Sequence, residues 1–334
     1  MIPFETIVQN NLYYWLRNVS WSQAIDIPKL ISERENIAKA IKKGVAQNKT
    51  FDLAVHLLCV SADVMMQIGG GRQWNLIAKQ AANQSFAQKN DYTKGHLLLC
   101  QAKFLFTQER YEEALEHLCD STPIAKVNQD VDLLWQIHYY EGLNCIRTAK
   151  LEQAEQSIQD IRDLLQHFTL LNAALCQGYL GLLGAELAIQ KLDWDMVSYC
   201  LKDGIRHLTK SGAEHNLSKA YLLMGQYHFL QQSPKEALQA WLRALKLLPV
   251  GFDFANRSYL IVKCAALQLD AGAIKEAAQL LRQVDFSMLR LLEHHHIHLD
   301  AVLTYGRLVE AQGNTKQAQL IFDDAKVLQN EIRG

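Results

Sequence analysis

The chain has 334 residues, 34 Lys+Arg against 35 Asp+Glu, a formal net charge of −1 and an apolar fraction of 49%. That composition excludes intrinsic disorder, and the charge balance argues against broad nucleic-acid binding, which depends on neutralising phosphates. A single core rarely grows past about 250–300 residues, and Pro is scarce (5 residues), so two domains or one elongated array of long helices is expected.

In chain order, the opening MIPFETIVQNNLYYWLRN has no basic segment followed by an apolar run and a cleavage site, so it does not read as a signal peptide. No stretch of 18 apolar residues occurs, so no membrane span is expected. Residues 28–47 read as one helix, with Asp26 or Pro28 near its start and Gly44 near its end, and 51–68 as an apolar second helix. Residues 1–50 are taken as an N-terminal helical cap and 51–85 as a first, degenerate repeat. Within that repeat Gly69-Gly70-Gly71 breaks the chain after the 51–68 helix and before RQWNLIAKQAANQSFA; with no GxxxxGK[ST] it reads as a turn, not a phosphate cradle.

From residue 90 to 334 one spacing recurs six times. A small residue is followed twelve positions later by another: Ala102 and Ala114, Gly142 and Ala154, Ala185 and Val197, Gly225 and Ala237, Ala265 and Ala277, Gly306 and Ala318. Two antiparallel helices approach closely only where their side chains are small, so the pattern predicts six helical hairpins. The second members are separated by 40, 43, 40, 40 and 41 residues. Gly272 and Gly313 stand where a left-handed helix end is needed. Tyr111, Leu151, Trp194 and Ile274 precede the second small residue by three positions. Ser233-Pro234-Lys235-Glu236 reads as a capping box with Pro at the first helical position. Pro28, Pro123, Pro234 and Pro249 are all expected at helix starts or connectors, and Pro3 at the free end.

Other chemistry is thin. The seven cysteines are scattered and never form CxxC, which fits a reducing cytoplasmic setting. His294 and His298, within LLEHHHIHLD, are four apart and would share a helix face; Glu293 or Asp300 would complete a metal site only with favourable geometry, and a polar helix face is the preferred reading. No GxSxG or Cys–His signature is present, Asp193/Asp195 and Asp323/Asp324 read as capping or solvated carboxylates, and Lys39, Lys42 and Lys43 as a solvated face. The six tryptophans read as core. No catalytic residue, metal or cofactor is assigned.

The small-residue spacing, with Pro249 closing the clearest unit, resembles the tetratricopeptide signature. Residues Glu33, Asn36, Ala40 and Ile41, then Gly71, Trp74 and Ala78, resemble the start of the helical-repeat arm of signal-transduction ATPases with numerous domains, including the maltose-regulon activator type. That arm's longer repeat of about 40 residues also matches. The resemblance implies an all-α, right-handed superhelical solenoid over 1–334 with a regulatory sensor role, and an ATPase or transcription regulator as partner. The missing P-loop leaves only the sensor arm in this chain.

In such arrays the first helix of each hairpin lines a concave groove. The resemblance carries that lining to three offsets from the first small residue. One residue after it stand Lys103, Leu143, Glu186, Gln226, Ala266 and Arg307; three before it, Tyr139, Leu182, Leu222 and Val262; four after it, Phe106, Ile146, Ile189 and Phe229. The candidate recognition residues are Lys103, Phe106, Tyr139, Glu186, Leu222, Gln226, Phe229 and Arg307. The apolar bias of the whole lining means either an apolar peptide, protein segment or small inducer is bound, or the array buries this face against itself. A constitutive scaffold is the alternative function, and a metal-dependent enzyme a third.

Overall fold

The small residues set the architecture. In the computed structural model all twelve are buried, and each of the six pairs joins the two helices of one hairpin. The structure describes residues 3–19, 27–68, 71–88, 90–248, 253–291 and 295–333, which form seventeen helices and no strand. They fall into two compact units, Met1–Gly212 and Ala213–Gly334.

The first unit opens with α1 (Phe4–Val19), α2 (Ile27–Val45), α3 (Phe51–Ile68) and α4 (Gly71–Gln88). Leu12, Ile41 and Trp74 are buried there. Three hairpins follow: α5 (Asp91–Thr107) with α6 (Tyr111–Val127), α7 (Val131–Arg147) with α8 (Leu151–His167), and α9 (Ala173–Gln190) with α10 (Trp194–Ser211). The last of these is the tightest: a Cβ built on Gly181 would lie 2.6 Å from Gly204 Cα, so backbone meets backbone. The second unit holds α11 (Glu214–Leu230) with α12 (Pro234–Leu247), α13 (Phe254–Asp270) with α14 (Ile274–Leu281), a short α15 (Phe286–Leu291), and α16 (His295–Ala311) with α17 (Thr315–Arg333). Here Gly225 gives its space to Trp241, whose Cδ1 would lie 2.2 Å from an added Cβ.

Every hairpin turns in the same way. The residue five before the second small residue is left-handed: Glu109, Ala149, Leu192, Gln232, Gly272 and Gly313. The next residue then donates its N–H back to the carbonyl five positions earlier, as Lys150 does to Cys145 at 2.8 Å and Ala273 to Gln268 at 2.8 Å. The second helix begins two residues later, three before its small residue. The expected left-handed glycines are thus found, and four non-glycine residues adopt the same strained conformation.

Three local expectations are corrected. Pro123 lies inside α6, not at a connector, and the helix runs only four residues further. The Ser233 hydroxyl makes no capping bond; it sits 3.5 Å from the Gln231 carbonyl, and α12 starts with the preset φ of Pro234 and the Ala237 N–H donating to the Ser233 carbonyl at 3.0 Å. The segment around the histidines is not one first helix. Leu291 ends α15, whose start is capped by Asp285 accepting from the Met288 N–H at 3.0 Å, and α16 starts at His295. His294, Pro249, Gly69 and Gly70 lie outside the described residues.

Candidate functional site

In the first unit the four candidate positions on the first helices are engaged by neighbouring side chains. Lys103 is 4% exposed and its ammonium is fixed on three sides: Asp63 Oδ1 at 2.8 Å, Gln136 Oε1 at 3.1 Å and the Tyr140 ring at 5.3 Å. Tyr139, 5% exposed, stacks edge-on against Tyr179 at 4.6 Å and Tyr140 at 5.3 Å. Burial pushes the phenols of Tyr139 and Tyr140 well above their ordinary range, with the nearby Tyr179 adding to the effect on Tyr139 and Asp63 to that on Tyr140. Phe106 is half-buried, edge-on to Tyr111 and Tyr140. Glu186 is half-buried and pairs with Arg147 at 2.7 Å. Lys103 and Tyr139 therefore face the packed interior and present no surface to a ligand as the unit stands.

In the second unit the equivalent positions are more open. Leu222 and Gln226 are half-buried, and Phe229 is 50% exposed with its ring 5.7 Å from Trp241. The Trp241 indole N–H donates to the Leu222 carbonyl at 3.1 Å, which holds the aromatic floor in place. Tyr259 stands edge-on to the same indole at 6.5 Å and carries the Lys263 ammonium over its face at 5.3 Å. Burial raises the Tyr259 phenol and Lys263 opposes that shift. Arg307 is exposed and hydrogen-bonded to Asp270.

Chain spacing alone hid one function of these positions. The residue just after the first small residue is used three times to staple a hairpin to the one before it: Lys103 to Asp63, Glu186 to Arg147, Arg307 to Asp270. Arg147 and Asp270 both stand five residues after their own small residue, so the staple is a repeating feature with alternating sign. The partners are 37 to 40 residues apart, beyond any short motif; the one legible signal was opposite charges recurring at the repeat period. Gln226 is the remaining polar residue at this offset.

Among the described residues, no group of three or more His, Cys, Asp or Glu could hold a metal ion, and no helix is long and apolar enough to cross a membrane. Asp193 caps α10, accepting from the Met196 N–H at 3.1 Å, and Asp323 accepts from Lys326 at 2.9 Å.

No family model matches the chain, and no curated protein matches it. Solved structures do. NprR in complex with its cognate peptide NprX is 15% identical with a TM-score of 0.54, covering 97% of this chain and 90% of that one. The Rap conjugation gene regulator of the plasmid pLS20, in complex with the Phr* peptide, is 14% identical with a TM-score of 0.54, covering 99% and 88%. A signal transduction ATPase with numerous domains, with a tetratricopeptide repeat sensor, from Pyrococcus horikoshii, is 9% identical with a TM-score of 0.52; the match covers 97% of this chain and 47% of that one. At these identities the likeness is one of fold: the chain is an all-α array of tetratricopeptide-like hairpins.

Proposed function

We propose that this chain is a non-enzymatic regulatory module of the cytoplasm that recognises a peptide, protein segment or small inducer on the inner face of its first helices and passes the event to a protein partner, an ATPase or a transcription regulator. The observation that carries the reading is the open aromatic shelf of the second unit, where Phe229 projects half-exposed beside Trp241 with Leu222 and Gln226 next to it. An exposed aromatic anchor on a fixed aromatic floor, beside an amide held by Tyr259, is the usual chemistry of a peptide hot spot. Support also comes from proteins of similar fold that were solved with peptides bound, NprR with NprX and the plasmid regulator with Phr*. Lys103, Tyr139, Phe106 and Glu186 enter this reading as the rigid wall of the first unit, Arg307 as a hairpin staple.

The test is calorimetry and thermal shift with panels of short peptides and metabolites. A ligand that raises the melting temperature is expected. Phe229→Ala and Gln226→Ala should each weaken it about tenfold, the scale of one lost contact of ~1.4 kcal/mol, with the free protein still folding cooperatively in both. Stabilisation only by a protein partner would favour the scaffold reading, and full affinity in both variants would remove this face from consideration.

A further inference from the structure

A second recess lies far from the Phe229 shelf in sequence and is built by different helices. It occupies about 900 Å³ between α14, α15, α16 and α17. Its origin is local. Helix α14 stops at Leu281 after eight residues, the chain turns through 282–285, and α17 continues for nineteen residues alongside α16. Leu281, Val284 and Leu308 form a buried floor, while Phe286 and Val302 are half-buried and Val327 is 58% exposed on the rim.

The polar lining is lopsided. Arg282 and Arg290 both border the recess, and among the described residues neither has an ion-pair partner. His298 borders it too; its Nδ1 is shielded from solvent with no hydrogen-bond partner, and its ring stands edge-on to Phe286 at 6.4 Å. Burial, Arg290 and His295 all push the His298 imidazole down, so it is neutral at pH 7. The shielded Nδ1 is out of a ligand's reach, but two guanidiniums with no ion-pair partner among the described residues leave donors unsatisfied at one end of the recess, and a carboxylate supplies acceptor oxygens for them. Away from these cations the walls are mostly aliphatic. Tyr305, Gln312 and Asp324 are the remaining polar side chains, too few to satisfy the backbone of a peptide laid along the recess. An acyl chain needs no such partners.

We propose that this recess binds an aliphatic carboxylate of fatty-acid type, its chain against Leu281, Val302 and Leu308 and its carboxylate against the Arg290 guanidinium. The site is separate from the peptide shelf, and neither reading depends on the other.

The experiment is calorimetric titration of the full chain with octanoate, decanoate and dodecanoate below their micellar concentrations, with decanol as the uncharged control. Affinity should rise about tenfold with each added pair of methylenes, at about 0.8 kcal/mol per buried methylene. Decanol should bind about tenfold more weakly than decanoate. Arg290→Gln, an exposed position, should reduce decanoate binding to the level of decanol at an unchanged melting temperature, and Phe229→Ala should leave it intact. Equal binding of decanoate and decanol, wild-type affinity in R290Q, or no saturable binding of any of the acids overturns the proposal. So does displacement of decanoate at lower concentration by a blocked apolar pentapeptide.

Discussion

The two units use the same repeat offsets to opposite ends. Tyr139 in the first and Leu222 in the second both stand three residues before a buried glycine, yet Tyr139 is sealed among aromatic rings and Leu222 is half-open. Phe106 and Phe229 share another offset; one is half-buried between Tyr111 and Tyr140, the other projects beside Trp241. The offset determines which way a side chain points. Whether it meets solvent is decided by the bulk of its neighbours. In the first unit three consecutive first helices each bring a large ring or an ion pair to this face, whereas α13 brings Ala266.

Truncation tests that contrast most strongly. Tyr139→Ala should destabilise the first unit by about 3–5 kcal/mol, the range for removing a buried aromatic. Phe229→Ala should stay within about 0.5 kcal/mol while altering ligand binding. Urea denaturation of both variants checks this, and similar losses would erase the distinction between the two faces.

Alkali should separate the units next. Tyr139 and Tyr140 keep their protons in the folded state to well above the unfolded phenol value of about 10. Above that pH the unfolded chain releases protons that the native state retains. Stability is therefore full below about pH 10 and declines as pH rises toward the raised native values. Urea midpoints taken stepwise upward in pH should fall, and Tyr139→Phe with Tyr140→Phe should flatten the decline.

The ion-pair staples give a smaller contrast. Lys103→Met leaves Asp63 without its buried partner and should cost about 1–3 kcal/mol, less than a fully buried pair because the carboxylate keeps part of its hydration. Arg307→Met breaks a pair open to solvent and should cost at most about 1 kcal/mol. If thermal denaturation ranks them the other way, burial is not what distinguishes the two staples.

The turns give the smallest effect. The first unit makes its three hairpin turns with Glu109, Ala149 and Leu192, whereas the second uses Gly272 and Gly313 for two of its three. Leu192→Gly should raise stability by about 0.5–1 kcal/mol, because the left-handed strain exceeds the entropy that glycine loses. Gly272→Ala should lower it by about 1 kcal/mol.

The helical hairpins were legible in the sequence because close packing leaves no alternative to small residues. Ala102 and Ala114 had to be small, and their spacing is local to one hairpin. Helix α15 was not legible, since the step from Ala277 to Ala318 is 41 residues whether or not α14 is interrupted. Pro123 misled because a proline near a helix end resembles a proline at a connector. The candidate face was legible in direction but not in exposure. The burial of Lys103 depends on Asp63, forty residues earlier, and on a ring from the next hairpin, neither of which any short pattern announces.

The alternating sign of the staples bears on how the hairpins keep their order. Stacked repeats share one surface shape, so in a partly folded chain a hairpin can settle against the wrong neighbour. Here the polarity runs Asp63 to Lys103, Arg147 to Glu186 and Asp270 to Arg307. A hairpin carrying Glu186 that slipped into the place of the one carrying Lys103 would set its carboxylate against Asp63. The staples thus act as an address, admitting each hairpin beside one predecessor and repelling it from another.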